Sequence, residues 1–75
     1  MKYVVSLNGD FVDDYQYKQA AITRAKWLYE SLEDKDKNYS FVTVDEVSEV
    51  NFAMYKLNNY DDEYLQNNSK LILEL

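Results

Sequence analysis

The dipeptide Asn8-Gly9 places the tightest constraint on how this chain can fold. Gly9 is the only glycine among 75 residues, and the pair stands between Tyr3-Val4-Val5-Ser6-Leu7 and Asp10-Phe11-Val12-Asp13. Asn and Gly both tolerate the positive φ that the central positions of a type I′ turn demand. Between β-branched and aromatic runs, the pair therefore predicts a two-strand hairpin. Side chains alternate along a strand, so Tyr3, Val5 and Leu7 share one face of its first arm.

Downstream the apolar period changes. Ala21, Ile22, Ala25, Leu28, Tyr29 and Leu32 recur at helical spacing and form one stripe over a helix from about Tyr17 to Glu33. Trp27 lies off its centre. Asp13 or Asp14 is available to cap this helix, since a carboxylate accepts backbone N–H groups at the positive end of the dipole. Lys35 to Asn38 reads as a polar connection, and Tyr39 to Val44 as a strand. Residues 47–70 stay open between helix and strand: Val47, Val50, Phe52 and Met54 suit a strand, and Val50, Ala53, Met54 and Leu57 suit a helix. Leu71, Leu73 and Leu75 alternate as a closing strand would. The expectation is one α+β domain over residues 1–75, an N-terminal β-hairpin and one main amphipathic helix packed on a small antiparallel sheet, with the C-terminal region undecided.

A domain this short buries only about 60% of its unfolded surface and is marginal without extra help. There is no Cys and no His, so disulfides and the usual zinc ligands are excluded and the core must hold the fold. With 47% apolar and 16% aromatic residues it has the material to do so. The lack of Cys fits a reducing compartment. The longest apolar runs, such as Leu71-Ile72-Leu73, fall far short of the ~20 residues of a membrane span, and no secretory leader is visible. The expectation is a cytoplasmic protein without membrane contact.

The same absences bear on chemistry. Without His or Cys every common nucleophilic triad fails, no Ser stands in a Ser-x-x-Lys pattern, and one glycine cannot build a phosphate loop. The reading is non-enzymatic. Asp34-Lys35-Asp36-Lys37-Asn38 with Asp45 resembles a calcium loop at positions 1, 3, 5 and 12. Tyr39 stands where that loop needs glycine, however, and Asp45 is a methylene shorter than the usual Glu. The segment reads better as a solvated connection, so no metal or cofactor is expected. Lys18, Arg24 and Lys26 with Trp27 and Tyr29 form a small basic, aromatic patch, yet a net charge of −6 argues against direct nucleic-acid binding.

That charge is uneven. Residues 1–37 hold seven acids and six bases, whereas residues 38–75 hold seven acids against Lys56 and Lys70 alone. Such a surface attracts basic partners. The densest stretch is Tyr60-Asp61-Asp62-Glu63-Tyr64. Asp61 or Asp62 can cap a short helix with Glu63 in its first turn. Alternatively, Tyr60 and Tyr64, four apart, can flank an acidic hot spot on one helix face. The two readings are compatible. Asp45, Glu46 and Glu49 form a second acidic group. Glu33, Asp34 and Asp36 form a third, near a helix C-terminus that prefers cations. Carboxylates about 6.7 Å apart along a strand, or about 5–6 Å apart on a helix, recur on the scale of backbone phosphates.

By class rather than by motif, these traits resemble the small acidic inhibitors that phages encode, the anti-CRISPR and DNA-mimic proteins. The likeness rests on one small domain, no catalytic set, excess acid and richness in Tyr, Asn and Asp. It implies a partner with a basic, nucleic-acid-binding surface. The three acidic groups and the two tyrosines are the contact candidates, and the host cytoplasm is the site of action. The rival reading is a self-associating structural or regulatory module, a homodimer built through Trp27, Phe52, Met54 or the edge near Leu71–Leu75.

Overall fold

In the computed structural model, which describes residues 1–75, the chain runs β1 (Lys2–Leu7), β2 (Asp10–Tyr15), α1 (Lys18–Ser31), α2 (Asp34–Lys37), β3 (Val42–Val47), α3 (Glu49–Leu57), α4 (Asp62–Asn67) and β4 (Lys70–Glu74). The strands form one antiparallel sheet in the order β2-β1-β3-β4. The α+β architecture, the N-terminal hairpin and the main helix on an antiparallel sheet are as the sequence implies. Residues 47–70 resolve into the end of β3 and two helices.

Asn8 and Gly9 take φ of 54° and 83°, as a type I′ turn requires. Asn8 does further work. Its N–H donates to the Phe41 carbonyl at 2.9 Å, and its side-chain Oδ1 accepts the Phe41 N–H at 2.9 Å. The hairpin tip is thereby fastened to the entrance of β3.

The two faces of the sheet carry separate cores, because alternation sends odd and even residues of β1 opposite ways. On one face Val5 of β1 and Val42 and Val44 of β3 pack under Ala21 and Ala25 of α1, ringed by Tyr3, Leu7, Leu28, Tyr29 and the side chains of β4. On the other face Val4 and Val47 pack under Phe52 and Tyr55 of α3 and Leu65 of α4, with Phe11 against them. Each fully buried Val or Leu contributes about 1.5–3 kcal/mol relative to exposure. A 75-residue chain gains by using both faces of one sheet.

Both outer strands are bulged. Opposite β1 the register steps from Val5↔Asp13 to Ser6↔Phe11, leaving Val12 as the extra residue of β2. Opposite β3 it steps from Val44↔Leu73 to Asp45↔Leu71, leaving Ile72 extra in β4. Val12 and Ile72 both pack toward α1. A bulged edge is a poor template for a further strand.

Three local expectations are corrected. Asp13 and Asp14 do not cap α1: the bulge lengthens β2 to Tyr15, Asp14 pairs with Lys2 at 3.2 Å, and Tyr17 occupies the N-cap with no side-chain bond. Helix α1 ends at Ser31, so Glu33 and Asp34 lie beyond its C-terminal dipole. They stand at the start of the α2 turn, where acids are favoured. In α3 the stripe of Val50, Ala53, Met54 and Leu57 is helical as its spacing allows, but it faces solvent, and Phe52 and Tyr55 supply the inward face.

Candidate binding surface

The Tyr60–Tyr64 segment begins where α3 ends. Asn59 and Tyr60 adopt φ of 55° and 56°, and the Tyr60 N–H donates to the Tyr55 carbonyl at 2.9 Å. Asn accepts that left-handed conformation readily; a tyrosine does so only when its surroundings compel it. Here the Tyr60 ring stacks on Phe11 with centroids 4.3 Å apart and meets Tyr55 edge-on at 5.4 Å. The reversed backbone then delivers Asp61 to the N-cap of α4, where its carboxylate accepts the Tyr64 N–H at 3.2 Å. Asp62 and Glu63 occupy the first turn, and Leu65 is buried. Tyr60 precedes the helix, so it does not share a helical face with Tyr64, whose hydroxyl donates to Asn51 of α3 at 3.2 Å.

Asp62 reaches the hairpin turn. A Cβ on Gly9 would lie 3.2 Å from Asp62 Oδ2, so the turn and the start of α4 touch. Asp61, Asp62 and Glu63 thus stand at one corner of the molecule, against the hairpin turn, and none has a cation within 4.0 Å.

The other two acidic groups are dispersed. In the second, Glu46 accepts the Tyr3 hydroxyl at 3.1 Å and Glu49 pairs with the terminal amine at 3.4 Å. Asp45 is interior, 1% exposed on the α3–α4 side of β3, and cannot reach a partner surface in this conformation. Of the third group, Glu33 pairs with Lys35 and Asp34 with Lys37, while Asp36 is exposed and unpaired. Across the molecule, four of fourteen side-chain carboxylates meet a cation within 4.0 Å and ten do not.

Asp45 belongs to a buried polar cluster that alternation along β3 does not announce. Its Oδ1 accepts the Ser69 hydroxyl at 3.3 Å, while Oδ2 has no partner. Ser6 Oγ and Tyr55 Oη are likewise buried, close to each other but without a well-formed hydrogen bond. Burial pushes the Asp45 carboxyl up to about 6; the Ser69 hydrogen bond opposes the rise, and the nearby charges of Asp62 and Glu74 add to it. Burial also pushes the Tyr55 phenol up to about 12. No cavity opens onto this cluster; the one pocket in the molecule, about 480 Å³, lies elsewhere, between β2 and α1. Tyr15, Thr23, Arg24 and Trp27 line it, and the Arg24 guanidinium sits 4.8 Å from the exposed Trp27 ring. No group of three or more Asp or Glu side chains is arranged to hold a metal ion. No helix is long and apolar enough to cross a membrane.

Fold and surface together define a small α+β protein with one acidic corner and a cation-poor exterior. No protein-family model matches the chain, and neither a curated protein nor a solved structure does.

Proposed function

We propose that this chain is a non-enzymatic acidic binding protein that occupies a basic, nucleic-acid-binding surface of a partner enzyme in the cytoplasm. It would work as phage-encoded anti-CRISPR and DNA-mimic inhibitors do. The observation that carries the reading is the set of unmatched carboxylates, densest at the corner where Asp61, Asp62 and Glu63 stand against the hairpin turn. Exposed carboxylates left without a local cation keep their charge available to a basic partner. Tyr60, strained and held by Phe11, offers a rigid aromatic anchor beside them. In this reading Asp61, Asp62, Glu63 and Tyr60 make the contact, with Tyr64 as the strut that fixes α4 against α3.

The test is capture of partners from a nuclease-treated bacterial lysate by the wild-type chain and by a triple variant, Asp61→Ser, Asp62→Asn and Glu63→Gln. Serine preserves the helix cap while removing its charge, so folding is retained. Capture by wild type should fall steeply between about 0.01 M and about 0.15 M salt, as the Debye length shrinks from about 30 to about 8 Å. The variant should lose the same partners. Equal retention by the variant, or capture indifferent to salt, refutes the reading.

A further inference from the structure

Helix α3 is apolar on two opposite sides. Phe52 and Tyr55 point into the sheet, while Val50, Ala53, Met54 and Leu57, spaced i, i+3, i+4, i+7, form a stripe on the outside. Val50 is 73% exposed and Leu57 76%. The outer side of a helix packed on a sheet is normally polar when it faces water. Met54 lies within this stripe, and the terminal amine of Met1 is 3.4 Å from Glu49 at the start of α3. Methionine is favoured where a surface must adapt to a partner. The bulges of β2 and β4 make the sheet edges poor docking sites, so this stripe is the best prepared apolar surface of the molecule.

We infer that α3 is a self-association surface, on which two copies pair their α3 helices antiparallel about a two-fold axis. Charge selects a second copy as occupant. Glu49 and Lys56 lie two turns apart on the same flank of the stripe, with Glu49 in the first turn and Lys56 in the last. Antiparallel pairing brings Glu49 of each copy beside Lys56 of the other while Val50 faces Leu57 and Ala53 allows close approach. It also sets the positive end of each helix dipole beside the negative end of its neighbour. Size sets the strength. Nine residues make a helix about 14 Å long. Such a contact stays below the roughly 1,200 Å² of a stable interface, so the dimer belongs to the weak, concentration-dependent class.

Sedimentation velocity from about 10 μM to about 1 mM, the range that brackets a weak contact, tests this. The expected result is a rise from the 8.9 kDa monomer toward twice that mass. Association should strengthen with salt, because each copy carries −6 and the bodies repel. This is opposite in sign to binding of a basic partner, so the two readings stand or fall separately. Leu57→Glu should abolish the dimer and leave the far-UV spectrum and melting temperature unchanged, since Leu57 is in neither core. Compared at about 0.15 M salt, where a Debye length of about 8 Å screens the long-range repulsion more than the contact pairs, Glu49→Lys and Lys56→Glu should each weaken dimerisation and the double exchange should restore it. A monomer throughout the range, a dimer indifferent to Leu57→Glu, or a double exchange no better than the singles overturns the inference.

Discussion

Replacing Asp45 by Asn should stabilise this protein at neutral pH, although a buried charged residue is usually costly to alter. The carboxyl rises from an ordinary 3.8 to about 6 on folding because burial disfavours its charged form. At 1.36 kcal/mol per unit that is about 3 kcal/mol. The sign follows from proton counting. Below pH 4 both folded and unfolded chains keep the proton and the group is neutral in its effect. Between about 4 and 6 the unfolded chain ionises first, so unfolding releases a proton and stability falls as pH rises. Above 6 both forms are ionised and the full penalty persists. Asn retains an oxygen for the Ser69 hydroxyl, now 3.3 Å from Oδ1, and carries no charge. Its own amide is desolvated at about 1 kcal/mol, leaving a net gain of about 2 kcal/mol above pH 6.5, or on the order of 10 °C in Tm for a domain of this size. Urea titrations followed by far-UV circular dichroism, on both proteins from pH 3.5 to 8, provide the assay. The variant should be the less stable protein by about 1 kcal/mol at the acid end, where Asp45 is protonated, and the more stable by about 2 kcal/mol by pH 7. The mutual repulsion of the other carboxylates acts on both proteins and cancels. A difference constant across pH, or a variant less stable than wild type at pH 7.5, would show that Asp45 is satisfied in some way its geometry does not reveal.

Three further outcomes follow from local geometry. Tyr55→Phe removes a buried hydroxyl whose polar neighbour, Ser6, makes no well-formed hydrogen bond with it, and should be neutral or stabilising by up to about 1 kcal/mol in thermal or urea unfolding. Gly9→Ala forces a side chain into φ 83° with Asp62 Oδ2 at 3.2 Å, and should cost about 1–2 kcal/mol in the same measurement, part of it recovered when Asp62 is also shortened to Ala. Asp61→Ala should cost about 1 kcal/mol by leaving the Tyr64 N–H uncapped, whereas Asp61→Ser should cost only a fraction of that.

The parts of the fold that the sequence makes legible are those specified by neighbours in the chain. Asn8-Gly9 encodes its turn in two residues, and the stripe from Ala21 to Leu32 encodes a helix and its inward side together. Helix α3 shows where such reading stops. Val50, Ala53, Met54 and Leu57 have the better helical period, yet Phe52 and Tyr55 take the core, where Tyr55 meets the rings of Phe11, Phe52 and Tyr60. Period alone does not reveal which side of a doubly apolar helix turns in. Asp45 was hidden for a related reason. In Val44-Asp45-Glu46-Val47 a carboxylate reads as the solvent side of a strand, but α3 and α4 cover that side, and their packing is decided by residues ten to twenty positions on. At the acidic segment the helix cap was legible in Asp61, while the reversal that separates Tyr60 from Tyr64 was not, since it depends on a ring stack with Phe11, 49 positions upstream.

The order β2-β1-β3-β4 carries a consequence for how the molecule comes into being. β1, which precedes the other three strands along the chain, lies inside the sheet, and one of its two neighbours is about forty residues away. The hairpin can close on itself early, but β1 stays half-dressed until Val42–Val47 leaves the ribosome, and the β3 side of the sheet is finished only by the final residues of β4. Long-range pairing of this sort slows folding relative to helical domains of equal length. The sheet is therefore completed late, when β4 joins β3, although the β1–β2 hairpin can form before that.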